Sequence, residues 1–487
     1  VGEIGLEGID SAYGERVATG IPGLDRILMG GLLRGSAYIV QGAPGLGKTV
    51  LANQVACHRA RQGERVLYLT LLSESHAQMF VHFRSLAFFD LSLVPERIYY
   101  TSGYAALDQD GLAGLLRLTV QELRRFGARF LVLDGLFVAH SLADTENDFR
   151  RFVHELQGQL SLIGATALLL TNEKRDPSSA EFTMVDGWIE VTEHMFGART
   201  VRDIQIRKMR GAMFLTGRHK YVIAASGLSV FPRLEAITQP GEPPTPDSDE
   251  RLTTGVAALD EMLRGGLPVT SSTLVQGPSG SGKTSLGLHF LAAAGEAEPA
   301  LLFGFYEGPR LLYQRAAKLG MDLERLVRAQ MLEIVWRPPT EMLADELALQ
   351  LLDAVKARGV RRLFLDGLGA LREGFVYPER FHAFMTALSN ALRGMGVTSL
   401  LAQEAPQLFQ ADRLQLHDVS AIIDNLLILQ HVHDGRALRR QLSIIKLRGS
   451  SFDPVAREFV IGSSGLELER AALSPPRRSR RPARGAS

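Results

Sequence analysis

Short, nearly unbroken apolar runs recur along the chain, and longer amphipathic stretches fill the intervals between them. Residues 38–41, 66–70, 130–133 and 167–171 are near-continuous apolar runs, the pattern of strands buried on both faces. Between them lie helix-like segments such as residues 112–126, with leucines at three- and four-residue spacing. Strands alternating with helices imply crossover connections and a mostly parallel sheet covered on both sides. The alternation returns later, with strand-like runs at 273–276, 300–305, 362–365 and 398–402. Two further runs, 425–430 and 441–445, flank His433-Asp434-Gly435 and predict an antiparallel hairpin appended to the sheet. The predicted class is α/β.

The alternation repeats because the sequence does. The 36 residues from Arg16, RVATGIPGLDRILMGGLLRGSAYIVQGAPGLGKTVL, align without a gap on those from Arg251, RLTTGVAALDEMLRGGLPVTSSTLVQGPSGSGKTSL, and half the positions are identical. Asp25 and Thr49 both lie 235 residues before their counterparts, Asp260 and Thr284. Later, LVLDGL (131–136) answers LFLDGL (363–368), and KMRG (208–211) answers KLRG (446–449). A period of this length is a whole domain rather than a solenoid unit. The predicted organisation is a first domain over 1–238, a linker over 239–250, a second domain over 251–470 and a tail over 471–487. The linker, QPGEPPTPDSDE, holds four prolines among acids, and SPPRRSRRPARGAS (474–487) holds five arginines and no hydrophobic period.

Composition narrows the classes of function. With 54 basic against 53 acidic residues, the chain carries no global field toward nucleic acid or anionic membrane. Its single cysteine, Cys57, excludes an intramolecular disulfide or a cysteine-built metal site and reads as a small buried hydrophobe. No apolar run reaches membrane-spanning length, and the polar start of the chain is unlike a signal peptide; the expectation is a cytoplasmic protein without a membrane partner.

Two segments carry the chemistry. Gly42-Ala43-Pro44-Gly45-Leu46-Gly47-Lys48-Thr49 and Gly277-Pro278-Ser279-Gly280-Ser281-Gly282-Lys283-Thr284 both fit G-x-x-x-x-G-K-[ST], each between an apolar run and a helical stretch. Glycines let the backbone wrap a phosphate, and successive N–H groups with the helix N-terminus make an anion site. Lys48 and Lys283 are placed to reach the β- and γ-phosphates of a nucleotide. The hydroxyls of Thr49 and Thr284 are placed to ligate Mg²⁺, with Asp134 and Asp366 at later strand ends completing its shell. Hydrolysis also needs an acid to orient or deprotonate water. The candidates after the second strand of each domain are Glu74, in YLTLLSES, and Glu307, in FGFYEGP.

Tandem copies of T-G-x-x-x-L-D, G-G-L and Q-G-x-x-G-x-G-K-T, followed by an acid, L-D-G and K-x-R-G, resemble the KaiC family of RecA-like ATPases over roughly residues 16–468. The resemblance implies two tandem RecA-like phosphate-loop domains, each a mostly parallel sheet flanked by helices. It implies Mg²⁺-dependent ATP hydrolysis in a homohexamer, with ATP between subunits. It also implies that Lys208 and Arg210, and Lys446 and Arg448, reach the neighbouring subunit's γ-phosphate. Signalling or timing through an unknown signalling protein follows as the expected role. Positive charge supplied in trans would stabilise the transferring phosphate.

Two features depart from the family pattern. KaiC-like domains carry adjacent glutamates after the second strand, and each copy here has one, in Ser73-Glu74-Ser75 and Tyr306-Glu307-Gly308. The family's adjacent Ser-Thr phosphorylation pair reads Ser420-Ala421, which argues against a two-site cycle and leaves single-site phosphorylation of Ser420 open. The alternative function is a DNA-acting RecA-like motor in recombination, repair or unwinding. The arginine tail favours it, while the balanced charge and the want of a recognisable DNA-binding module do not. His431 and His433 read as surface histidines, and Trp188 and Trp336 as core or interface aromatics.

Overall fold

The computed structural model describes residues 14–72, 76–172, 184–238, 250–405, 422–434 and 437–469. Glu74, Ser420, residues 239–249 of the linker and the arginine tail lie outside them. The chain divides into two compact units, Val1–Gln239 and Pro240–Ser487.

In the first unit a short ribbon pairs β1 (Arg16–Val17) with β2 (Leu32–Leu33). The main sheet holds β3 (Ala37–Gln41), β4 (Val66–Thr70), β5 (Ile98–Ser102), β6 (Phe130–Asp134) and β7 (Thr166–Thr171). It continues with β8 (Gly187–Phe196), β9 (Arg199–Met209), β10 (His219–Ala224) and β11 (Gly227–Phe231). Across the sheet the order is β5-β4-β6-β7-β3-β8-β9-β10-β11. The six strands from β5 to β8 are parallel, and the last three joints are antiparallel.

The second unit repeats this plan. Its ribbon is β12 (Arg251–Leu252) with β13 (Leu267–Pro268). Its sheet comprises β14 (Ser272–Gly277), β15 (Ala300–Gly304), β16 (Leu332–Trp336), β17 (Arg362–Asp366) and β18 (Thr398–Glu404). The margin is β19 (Asn425–Asp434), β20 (Ala437–Leu447), β21 (Arg457–Gly462) and β22 (Gly465–Leu468). The order, β16-β15-β17-β18-β14-β19-β20-β21-β22, matches the first sheet strand for strand. The expected hairpin is β19 with β20, antiparallel and longer than its apolar runs.

The apolar runs are explained by two-sided burial. Tyr38, Val40, Tyr68 and Val132 pack on the face covered by the helix Lys48–Arg61. Ile39, Leu67, Leu69, Leu131 and Leu133 pack on the face covered by Tyr104–Phe126 and Glu146–Ile163. Alternate residues of one strand thus enter opposite cores, so both faces of each run favour apolar side chains. The helical stretch expected over 112–126 begins earlier, at Tyr104, and is broken at Gly111, whose φ of 62° no helix contains. Cys57 is fully buried, where burial pushes its thiol up to about 11. Trp188 is a core residue whose indole N–H donates to Gln41 Oε1 at 2.9 Å, whereas Trp336 is 41% exposed.

Candidate nucleotide site

Parallel strands bring all their C-terminal ends to one edge of the sheet, where such folds bind ligands. The loop after β3 is Gly42–Thr49, and the loop after β14 is Gly277–Thr284. Both lead into helices, Lys48–Arg61 and Lys283–Ala292. The residue capping each helix is a glycine in the left-handed region, Gly47 at φ 82° and Gly282 at φ 104°. That conformation is strained for any side chain and turns the loop's N–H groups inward. The Tyr221 hydroxyl donates to the Leu46 carbonyl at 2.7 Å and braces the first loop from β10. In the second loop the buried Ser281 hydroxyl has no hydrogen-bond partner.

The two lysines take equivalent positions. Lys48 Nζ donates to the carbonyls of Gly42 and Ala43 at 2.7 and 2.9 Å. Lys283 Nζ donates to those of Gly277 and Pro278, both at 2.8 Å. Burial pulls Lys48 down to about 8 against the opposing charge of Asp134. Burial likewise lowers Lys283, opposed by Glu404 and Asp366.

Each threonine meets its strand-end aspartate. Thr49 Oγ1 donates to Asp134 Oδ2 at 3.1 Å, and Thr284 Oγ1 to Asp366 Oδ2 at 3.0 Å. A hydroxyl and a carboxylate side by side at a phosphate loop are an oxygen donor set that fits Mg²⁺. Bound there, the ion would neutralise charge on the transferring phosphate. Burial raises the Asp366 carboxyl, the Thr284 hydroxyl opposes the shift, and the charge of Glu307 adds to it.

Beneath Asp134 the first domain holds a polar network that the motifs do not announce. The Tyr68 hydroxyl donates to Asp134 Oδ2 at 2.8 Å and accepts from Asn53 Nδ2 at 3.2 Å, while Tyr100 donates to Asn53 Oδ1 at 2.8 Å. Strand register places Leu302 opposite Phe364 and Ile334, where the first domain has Tyr68 opposite Val132 and Tyr100. The counterpart of Asn53 at the 235-residue offset is Leu288. The network therefore has an apolar equivalent, Leu288, Leu302 and Ile334, in the second domain. Comparing the aligned copies for polar-to-apolar exchange was the signal that could have found it.

Glu307 follows β15, and Arg315 holds its Oε1 at 2.7 Å. Its Oε2 is buried with no hydrogen-bond partner. Glu74 lies outside the described residues. Lys208 and Lys446 occupy matching positions near the ends of β9 and β20, donating to the carbonyls of Val185 and Ile423 at 2.7 and 2.6 Å. Arg210 reaches the Met184 carbonyl, and Arg448 reaches Asp424. These four residues gather at the opposite edge of their own sheets from the phosphate loops, because β9 and β20 run back against the parallel strands.

A family model, the KaiC ATPase, matches residues 17–235 and again 252–472. The chain belongs to the KaiC ATPase family. Among KaiC relatives, the circadian clock oscillator protein KaiC of Picosynechococcus is 26% identical over 471 residues, covering 93% of this chain and 90% of the relative. The namesake proteins of Synechococcus elongatus and Rippkaea orientalis are each 27% identical over 470 residues. Both cover 93% of this chain, with 89% and 88% of the relatives. The tandem α/β fold expected from the KaiC resemblance is the fold observed. The T-G-x-x-x-L-D motif of KaiC-like chains proves architectural here: Asp25 accepts from the Thr19 amide and hydroxyl, both at 2.7 Å, and Asp260 does the same for Thr254.

Proposed function

We propose that this chain is a Mg²⁺-dependent ATPase that assembles into a hexameric ring, with ATP held between subunits at both phosphate loops. Its output would be signalling or timing through a partner protein, in keeping with the clock oscillator proteins it resembles.

The observation that carries this reading is the separation of the two charged sets. Lys208 lies opposite Trp188 and, through it, Ile39, with its amine turned to Val185 before β8 begins. Two residue steps of about 3.3 Å lie between Ile39 and Gln41 before the phosphate loop starts. Lys208 and Arg210 thus face away from their own loop, and the K-x-R residues act on phosphate only if a neighbouring subunit presents it. The same holds for Lys446 and Arg448. A nucleotide bridging subunits stabilises the ring by mass action.

Light scattering on nucleotide-free and ATP-loaded protein tests this, with ATPase rate measured beside it. An ATP-dependent rise in mass supports the interface; a monomer under both conditions refutes it. The same assay with single-stranded DNA decides between a signalling ATPase and a DNA motor, since only a motor is accelerated by the strand. Mass spectrometry after incubation with γ-labelled ATP tests transfer to Ser420. Label that vanishes in Ser420→Ala marks an autokinase, and hydrolysis without label marks a pure ATPase.

A further inference from the structure

A relay of hydrogen bonds runs from the edge strand of the first domain to the aspartate beside its phosphate loop. The Tyr100 hydroxyl on β5 donates to Asn53 Oδ1 at 2.8 Å. The Asn53 amide then donates twice, to the Thr49 carbonyl at 2.8 Å and to the Tyr68 hydroxyl at 3.2 Å. A phenol carries one proton. With Asn53 donating to Tyr68, that proton goes to Asp134 Oδ2, 2.8 Å away, the oxygen that also accepts from Thr49 Oγ1 at 3.1 Å. Each donor is thus fixed in direction by the one before it. Both branches leaving Asn53 end on the residues of the oxygen donor set, Thr49 and Asp134.

The fold does not need this relay. The second domain has the same sheet order and fills the equivalent positions with Leu288, Leu302 and Ile334, packed in or against its apolar core. Tyr68 and Asn53 are fully buried. Replacing buried polar partners together by apolar side chains of similar size is often neutral or stabilising. What the relay adds is a direction for a carboxylate. Two donors converge on Asp134 Oδ2 and fix that oxygen, and with it the turn of the carboxylate. In the second domain Asp366 accepts from Thr284 Oγ1, and Leu302 stands where Tyr68 would.

We infer that Tyr68 is a positioning residue for metal at the first phosphate loop. It holds the Asp134 carboxylate in the orientation in which, with Thr49, it takes up Mg²⁺ alongside the nucleotide. The second domain has leucine in place of this support. The inference rests on the first loop being a Mg²⁺–ATP site.

The test uses the full chain carrying Lys283→Ala, in which only the first loop is loaded. A fluorescent ATP analogue is titrated with Mg²⁺ well below the unfolding temperature. Tyr68→Phe should raise the Mg²⁺ midpoint by about 10–100-fold, the cost of removing a hydrogen-bond partner behind a metal-binding carboxylate. Affinity for the nucleotide in EDTA should stay unchanged. Mn²⁺ in place of Mg²⁺, followed by electron paramagnetic resonance, should show the same loss as an increase in free ion. In Lys48→Ala, where only the second loop is loaded, Tyr68→Phe should leave the Mg²⁺ midpoint where it was. Adding Asn53→Leu and Tyr100→Phe to Tyr68→Phe copies the apolar solution of the second domain and relieves any disturbance of the core. The raised midpoint should persist in this triple variant. A midpoint equal to that of the parent in Tyr68→Phe overturns the inference. So does a midpoint that returns to the parent value in the triple variant, which would show that Tyr68 serves the fold alone. A Lys283→Ala chain that binds no nucleotide, or binds it without response to Mg²⁺, overturns the Mg²⁺–ATP reading of the loop itself.

Discussion

Lys48 shows how a single buried charge ties nucleotide affinity to pH. Its folded-state value near 8 lies below that of a free lysine because burial removes its hydration. A bound triphosphate favours the ammonium form, so above pH 8 binding must take up a proton. Affinity at the first loop is expected to hold up to about pH 7.5 and then weaken, by at most about tenfold per unit. Fluorescent-nucleotide titration of Lys283→Ala at pH 7 and pH 9 checks this, and an affinity that rises with pH contradicts it. Tyr68 is the neighbouring test. Tyr68→Phe removes a donor to Asp134 and an acceptor for Asn53, both buried. The first domain should lose about 1–3 kcal/mol in chemical denaturation. Both loops, their lysines and the Thr–Asp pairs are legible at this scale from spacing alone. The tyrosine network is not, since Tyr68 sits inside an apolar run and only strand register brings it to Asp134.

At the level of elements, the helix following each loop must lie close on its sheet. Gly287, on Lys283–Ala292, faces the Phe364 ring of β17, and a methyl group there would stand 2.2 Å from ring carbons. That ring is fully buried and has no room to withdraw. Gly287→Ala should destabilise the second domain by about 1–3 kcal/mol, the range for overpacking a filled core, in a urea titration. The same helix is tied to β22 through His289, whose Nε2 accepts from the Leu466 amide at 2.8 Å. Burial depresses the His289 pKa below its ordinary 6.5. The unfolded chain then takes up a proton first on acidification, so this contribution is complete above about pH 6.5 and is lost as pH falls through the lowered folded value. The second domain's denaturation midpoint should drop between pH 7.5 and 5.5. His289→Ala should lower the midpoint at pH 7.5 and flatten that slope. The strands were readable because two-sided burial demands apolar runs. The start of the helix at Tyr104 was not, because Gly111 interrupts the leucine spacing ahead of Leu112.

For the whole molecule, the prediction concerns charge supplied across an interface. With Arg210 and Arg448 placed at the far edge of their own sheets, replacing both with alanine leaves each subunit's phosphate loops intact. Transition-state charge then goes unneutralised, as when an arginine finger is removed. Turnover should fall by roughly 10³-fold, with folding unchanged by circular dichroism and ATP-dependent mass by light scattering weakened. A double variant with the parent rate would show that these arginines serve no neighbour.

The sequence alone determined the duplication, the α/β class, the two phosphate-loop motifs and the threonine and aspartate that meet beside each. Each depends on local spacing or on a period carried along the chain, and such patterns survive in one dimension. Tertiary structure decided what depends on register between distant strands. It brought Tyr68 of β4 to Asp134 at the end of β6, beside Asn53 of the helix after the loop. It also placed K-x-R away from its own loop, because β9 and β20 reverse direction. Spacing along the chain carries no sense of direction across a sheet, and hydrogen-bonded pairing supplies it.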